Sequence, residues 1–390
     1  VDDDVAALAR CVGDVDRFGT ELWGCRPFVW RDRGCFTDLL TTEDVETLLR
    51  SAGRRPSFRL VRDGETLPPA ACTYPIRIGG TVVDDAADLG RITALAGSGA
   101  TIVLQGLHHL WPPLQRFCGQ LERATSHAVQ ANAYLSPPGA AALRHHRDTH
   151  EVLALQVEGR KTWQIDGLGS ITMEAGDVAY LPAGTGHAAA AQDQHSLHVT
   201  IGVLATTYAA AVRRVVAGAE GELGRPLPLG FARPDHEHHL TDQMAWALRA
   251  AGDHLRAIDP DEVATGEIRR ATTRPRPPSH GTLRAAVDPS AIGDGLRLRV
   301  AGGPLRMTAE GDTVVLEGGR RRLRLPAHTA TALQVVLERG RVDVADLAGL
   351  DAPSRVVLAR RLVREGFLEV DECAQKAPRL RSARDRPSGS

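Results

Sequence analysis

Cysteine is sparse and scattered. The six residues (Cys11, Cys25, Cys35, Cys72, Cys118 and Cys373) include no C-x-x-C pair. That argues against a zinc ribbon or a disulfide framework and suits a reducing compartment. A run of 18 apolar residues occurs nowhere, so no membrane-crossing helix is expected. The opening VDDDVAALARCVGD is acidic, where a secretory leader is basic. An excess of either charge is also missing: 47 Lys and Arg balance 48 Asp and Glu for a net −1. No global pull toward nucleic acid or membrane follows from that balance. A cytoplasmic protein with no membrane attachment is expected. Lysine is nearly absent too, with only Lys161 and Lys376 among the basic residues. In an arginine-rich chain, a lysine in mid-sequence points to a task that guanidinium performs badly.

What is present is ordinary globular material. With 390 residues, 43% hydrophobic and 24% charged, two or three domains can each bury a core. Residues 1 to 70 read as short helices, with apolar spacing at Val45, Leu48 and Leu49, and a strand PSFRLVR. A helical stretch LHHLWPPLQRFCGQLERA follows. From about 128 to 204 the pattern becomes short strands punctuated by Gly and Pro: VQANAYLSPPG, EVLALQVEGRKTWQI, ITMEAGDVAYLPAG and HSLHVTIGV. That spacing predicts a sandwich or barrel. Helical periodicity returns over 206–268, and the Pro/Arg-rich 269–282 reads as a linker. Over 283–370 two alternating segments with a Gly318-Gly319 hairpin turn, two helices closed by glycine and a final FLEV strand suggest a winged helix. The tail 371–390 reads as disordered.

The chemistry centres on RHHRDTH, residues 144–150. His146 and Asp148 are two apart, so on an extended strand they face the same side. An H-x-D triplet alone arises readily by chance in a His-rich stretch. Forty-one residues after His146, however, GDVAYLPAGTGH places His187 behind the spacing of Gly176, Pro182 and Gly184, which matches the second cupin motif up to that histidine. Two imidazoles and one carboxylate leave part of a metal's coordination sphere open, as non-haem Fe(II) oxygenases require. A closed four-ligand set would be structural. His145 and His150 lack an Asp two residues on, and His195 and His198 are candidates for lining the pocket.

With these segments in view, the chain resembles the Jumonji-C ribosomal-oxygenase family from about Phe18 to Val370. The resemblance rests on FGTELWGCRPF, VQANAYLSPPG, HRDTHEVLALQVEGRKTW, YLPAGTGHAAAA and SLHVTIGV. It implies an α+β chain. Residues 1–205 would be a double-stranded β-helix (cupin or jelly-roll, JmjC) barrel with an N-terminal helical elaboration, 206–268 a helical dimerisation region, and 283–370 a winged-helix domain. The resemblance further implies an iron triad of His146, Asp148 and His187. Lys161 is implied to pair with the distal carboxylate of 2-oxoglutarate, and Asn132, Tyr134 and Thr200 to line the same pocket. Lys161, just after the expected turn Glu158-Gly159-Arg160, also reads independently as a buried ammonium that needs a carboxylate. Arg147 between the first two ligands and Ala183 in the Pro-x-Gly turn depart from the family pattern, at positions expected to face the barrel mouth.

The expected activity is therefore Fe(II)- and 2-oxoglutarate-dependent hydroxylation, consuming O₂, of an arginine or histidine side chain in a ribosomal or other protein. A homodimer is expected. One alternative is a hydroxylase that tailors a ribosomally made natural-product peptide; demethylation ranks below both. A different class is a non-catalytic cupin and winged-helix regulator reading DNA through Arg355, Arg360, Arg361 and Arg364. A nucleic-acid partner is not the favoured reading. The acidic Asp84, Asp85 and Asp88 read as a solvated loop.

Overall fold

Alternation along Ala128–Ser136 sets the first unit's architecture. Val129, Ala131 and Ala133 are buried on one side and join the main apolar core, while Gln130, Asn132 and Tyr134 face the other. In the computed structural model, which describes residues 3–140, 143–218, 221–231, 237–274, 282–301, 305–319 and 321–371, the chain forms two compact units, 1–263 and 264–390.

The strands of the first unit are β1 (Phe28–Trp30), β2 (Phe58–Arg62), β3 (Glu65–Thr66), β4 (Thr73–Ile78), β5 (Thr81–Ala87), β6 (Thr101–Leu104), β7 (Ala128–Ser136), β8 (His146–Arg147), β9 (Glu151–Ile165), β10 (Gly169–Glu174), β11 (Val178–Leu181) and β12 (Gly186–Leu204). Strands β4 and β5 form a separate hairpin. The rest make one antiparallel sheet in the order β1-β11-β9-β12-β7-β6-β2-β3, with β10 on β9 and β8 on β12. The two long strands serve both halves. The first part of β9 pairs with β11 and its second part with β10, while β12 follows it throughout with register shifts after Ala191 and Leu197. Long strands that bend and change neighbours wrap the sheet into the double-stranded β-helix expected from the sequence. One side of it packs on helices, including Thr42–Ala52, where Val45, Leu48 and Leu49 are buried as their spacing predicts. Thr41 and Asp44 close a capping box at that helix's start.

Two expectations need correction. Glu158-Gly159-Arg160 is not a chain reversal, because β9 runs unbroken through it. Gly159 takes φ +64°, and a Cβ there would lie 2.0 Å from the His195 carbonyl oxygen. Glycine thus lets β9 bend and touch β12 where a side chain has no space. The proposed linker 269–282 also loses its start, because the helix Pro260–Thr272 continues into it, and Thr282 begins the helix Thr282–Val287. Residues 275–281 lie outside the described residues, as does the tail from 372 with Cys373 and Lys376.

In the second unit, Arg341–Asp343, Arg297–Val300 and Leu368–Val370 form one three-stranded sheet, and Leu305–Glu310, Thr313–Gly318 and Arg321–Pro326 form another. The helices Ala330–Arg339 and Ala352–Arg364 are followed by Gly340 and Gly366, both at positive φ. Leu298, Leu333, Leu358, Leu362 and Phe367 are buried at its centre. Among the described residues no helix is long and apolar enough to cross a membrane.

Candidate metal centre

Strand β8 is only two residues long, and its register sets His146 directly opposite His187 at the start of β12. Asp148 follows just past the end of β8. The sequence thus delivers the triad from two neighbouring strands. The imidazole centroids are 4.3 Å apart, and Asp148 carboxylate oxygens lie 4.0 Å from His146 Nε2 and 3.6 Å from His187 Nε2. One ligand atom from each residue falls within 4.8 Å of the others. It is the single group of this kind among the described residues.

Hydrogen bonds aim both rings. His146 Nδ1 meets the Arg144 carbonyl at 2.9 Å, and His187 Nδ1 meets the Thr185 carbonyl at 3.0 Å. Each Nδ1 therefore carries the proton, which leaves Nε2 lone pairs pointing at the shared centre. Burial holds the His187 imidazole below its usual pKa, against a raising contribution from the Thr185 hydrogen bond. That favours the neutral form that ligates metal. Exposure is graded: His187 side-chain exposure is 7%, whereas His146 and Asp148 are at 34% and 31%. The centre is walled on one side and open on the other.

The wall continues inward. Cross-strand partners point to one side of a sheet, so Ile165, Trp163 and Lys161 on β9 share a face with His187, Ala189 and Ala191 on β12. On β7, Asn132, Tyr134 and Ser136 share a face with Thr200, His198 and Ser196. The two sets converge. Trp163 stacks 6.0 Å from His187 and meets His198 edge-on at 5.2 Å. Tyr134 lies flat on His198 at 4.8 Å. Lys161 Nζ donates to Ser136 Oγ at 2.8 Å, and the Thr101 hydroxyl donates to the same oxygen at 3.0 Å.

Lys161 is fully buried, and desolvation pulls its pKa from 10.5 to about 7. It forms no ion pair among the described residues, although an ammonium offers three donors. Trp163 Nε1 and His198 Nδ1 are likewise buried without a partner there. Burial, reinforced by the Lys161 charge, drives the His198 pKa well down. Such a set of unsatisfied donors is costly in an empty protein interior. It fits an anionic, acceptor-rich ligand, and the donor set at the mouth fits a divalent metal.

The expected pocket residues are placed as follows. Asn132 Oδ1 accepts from the Gly106 amide at 3.0 Å. Burial raises the Tyr134 pKa, while a hydrogen bond with Thr200 pulls the other way. Thr200 pairs across the strands with Asn132. His198 lines the pocket, whereas His195 lies apart, exposed and 3.5 Å from Glu158. Ser136, Thr101 and Trp163 escaped the sequence reading. Trp163 sits two residues from Lys161 on one strand, a spacing that already carries the signal.

A family model for the JmjC domain matches residues 108–172 and 168–211. The bifunctional lysine-specific demethylase and histidyl-hydroxylase NO66 of Drosophila mojavensis is 32% identical over 132 residues, which is 27% of this chain and 15% of that protein. The Branchiostoma floridae protein of the same name is 42% identical over 89 residues, 22% of this chain and 15% of its own length. The matches thus span about a seventh of these relatives. Among solved structures, the Escherichia coli ribosomal oxygenase YcfD superposes with a TM-score of 0.51 at 18% identity, covering 92% of this chain and 98% of that one. Its complex with cobalt and 2-oxoglutarate gives 0.50 at 17% identity, covering 91% and 98%. At that identity the likeness establishes the fold.

Proposed function

We propose that the chain is a JmjC-type Fe(II)- and 2-oxoglutarate-dependent oxygenase that hydroxylates an arginine or histidine side chain of a ribosomal or other protein, a reading supported by the JmjC-domain match over residues 108–211. The observation that carries this reading is the buried, acid-free Lys161 behind an open His-Asp-His centre. A buried ammonium without a counter-ion destabilises the free protein and suits a carboxylate ligand.

In this reading His146, Asp148 and His187 hold Fe(II). Lys161, held by Ser136, receives the distal carboxylate of 2-oxoglutarate, and Asn132, Tyr134 and Thr200 line the space between. Bound iron and cosubstrate supply the oxidation itself: one O₂ and one 2-oxoglutarate give succinate, CO₂ and a hydroxylated C–H. The chain's own contribution is orientation and dryness. The Nδ1 bonds keep both imidazoles in the ligating tautomer, Trp163 and Tyr134 flank the cosubstrate channel, and Val152, Ala154, Ile165 and Met173 form an apolar interior. The names of the relatives support a protein side chain as substrate and an added oxygen as the outcome.

Incubation of the purified chain with ribosomes, Fe(II), O₂ and 2-oxoglutarate should give succinate and one added oxygen on a protein residue by mass spectrometry. His146→Ala and Asp148→Ala should each abolish succinate formation. Turnover retained in both variants overturns the assignment.

A homodimer is part of the proposal. The helix Tyr208–Ala217 buries no residue, and Tyr208 and Leu248 are 94% and 74% exposed, alongside Val212 and Met244. A second copy suits that apolar surface. Tyr208→Asp with Leu248→Asp should halve the mass measured by light scattering. We place the protein in the cytoplasm and read 283–370 as a winged helix. DNA reading by that unit is less well supported. Arg355 donates to the Leu350 and Ala345 carbonyls and Arg360 to the Ile292 carbonyl, while Arg361 and Arg364 pair with Glu365.

A further inference from the structure

The ligand-bearing strand is weakly held by its backbone alone. Only two register pairs, Gly186 with Arg147 and His187 with His146, tie β8 to the sheet. The residues on either side of His146 are instead gathered by one carboxylate. Asp166, the first residue after β9, receives the Arg147 guanidinium on Oδ2 at 2.8 Å and lies 3.2 Å from His145 Nε2 through Oδ1. Its amide donates to the Gly186 carbonyl at 2.9 Å. Arg147 also donates to the Gly184 carbonyl, and the Gly184 amide donates to the Asp148 carbonyl at 2.8 Å. These contacts tie together the residues flanking His146, the Asp148 carbonyl and Gly186, the residue before His187.

Glycine at 186 belongs to the same device. A Cβ there would lie 2.3 Å from Asp166 Oδ2 and 2.5 Å from His145 Cε1, so the clamp occupies the space that any side chain would need. Arg147, which departs from the pattern of the family the chain resembles, has its guanidinium committed to these contacts.

Building on the metal site proposed above, we infer that Asp166 is a positioning residue that clamps β8 and the following turn from both flanks of His146, so that the three ligands are ordered before metal arrives. It touches neither metal nor substrate; it acts through Arg147 and His145. Partners that orient metal ligands from behind typically change metal affinity 10- to 100-fold when removed. Here the clamp is half exposed, and the lower end applies.

The test titrates the full-length, metal-free protein with Co²⁺ and follows binding by calorimetry, independently of turnover. Asp166→Asn and Arg147→Met should each bind Co²⁺ about tenfold more weakly than wild type. Both should melt within about 2–4 °C of it, because exposed ion pairs contribute little to stability. The charge-swapped pair Arg147→Glu with Asp166→Arg should recover most of the affinity. Wild-type affinity in both single variants overturns the clamp while leaving the metal site standing. A double variant no tighter than the singles also overturns it. A wild-type chain that binds no Co²⁺ removes the metal site and the clamp together.

Discussion

The cores of the two units treat polar groups in opposite ways. In the C-terminal unit the buried residues from Ile292 to Leu368 are nearly all aliphatic, and the buried polar exceptions are paired. The Thr329 hydroxyl donates to the Pro326 carbonyl at 2.7 Å, and Asp371 lies 3.6 Å from Arg341. The barrel instead buries an ammonium whose one hydrogen bond goes to the neutral Ser136 hydroxyl, and an imidazole nitrogen and an indole nitrogen without protein partners among the described residues. The first core is built for stability. The second gives stability up at Lys161, Trp163 and His198, on the interior face that leads from the His-Asp-His centre to Lys161. Unsatisfied donors gathered at one place mark a ligand's position more sharply than concavity does.

Substituting one residue in each core breaks the comparison in opposite directions. Lys161→Met should lower 2-oxoglutarate affinity more than hundredfold, about 3–5 kcal/mol, as expected for removing one member of a buried charge pair. The ligand-free variant should melt no lower than wild type, because an unpaired buried charge has been replaced by an apolar side chain of similar length. Thermal melting with and without 2-oxoglutarate reads both effects; a large loss of stability without ligand would show that Lys161 is structural. Leu333→Ala, in a fully buried position of the C-terminal unit, should cost that unit about 2–5 kcal/mol, visible as a lowered denaturation midpoint. An unchanged midpoint would mean that this core is looser than its burial indicates.

How much of this was legible in the sequence differs between the regions for physical reasons. The triad was readable because strand geometry turns a spacing of two into a shared face, and because glycines and a proline fix the approach to His187. Lys161 stood out because arginine fills nearly every other basic position. The convergence of Trp163, His198, Ser136 and Thr101 was not readable, since it depends on which of several antiparallel strands pair and in what register. Gly159 read as a turn because a glycine flanked by charged residues signals a reversal and a strand bend alike; only the contact with His195 separates them. The strand Leu305–Glu310 was missed because its residues are mostly exposed and give little alternation. Asp166 carried no local signal at all, because its partners lie about twenty residues away in sequence.

The smallest effect sharpens the comparison through pH. In the ligand-free barrel Lys161 has its pKa lowered to about 7 by desolvation, and the groups facing it are the neutral Ser136 and Thr101 hydroxyls and a His198 held neutral by burial. Binding a carboxylate restores the ammonium, so above pH 7 the cosubstrate must bind together with a proton. Affinity for 2-oxoglutarate should therefore be flat below pH 7 and fall about tenfold per pH unit above it, until the pKa of the bound state is reached. Stability of the free protein should move the other way. A folded-state lysine pKa below the unfolded 10.5 means that the unfolded chain binds more protons between about pH 7 and 10.5, so this group's contribution to stability rises with pH across that window. The C-terminal core has no counterpart among its buried side chains and should show neither trend. Calorimetric titration of 2-oxoglutarate with Mn²⁺ in place of iron, at pH 6.5, 7.5 and 8.5, measures the first slope, and Lys161→Met should abolish it. A pH-independent affinity in wild type would mean that the ammonium keeps its proton without a ligand and that some other group already compensates its charge.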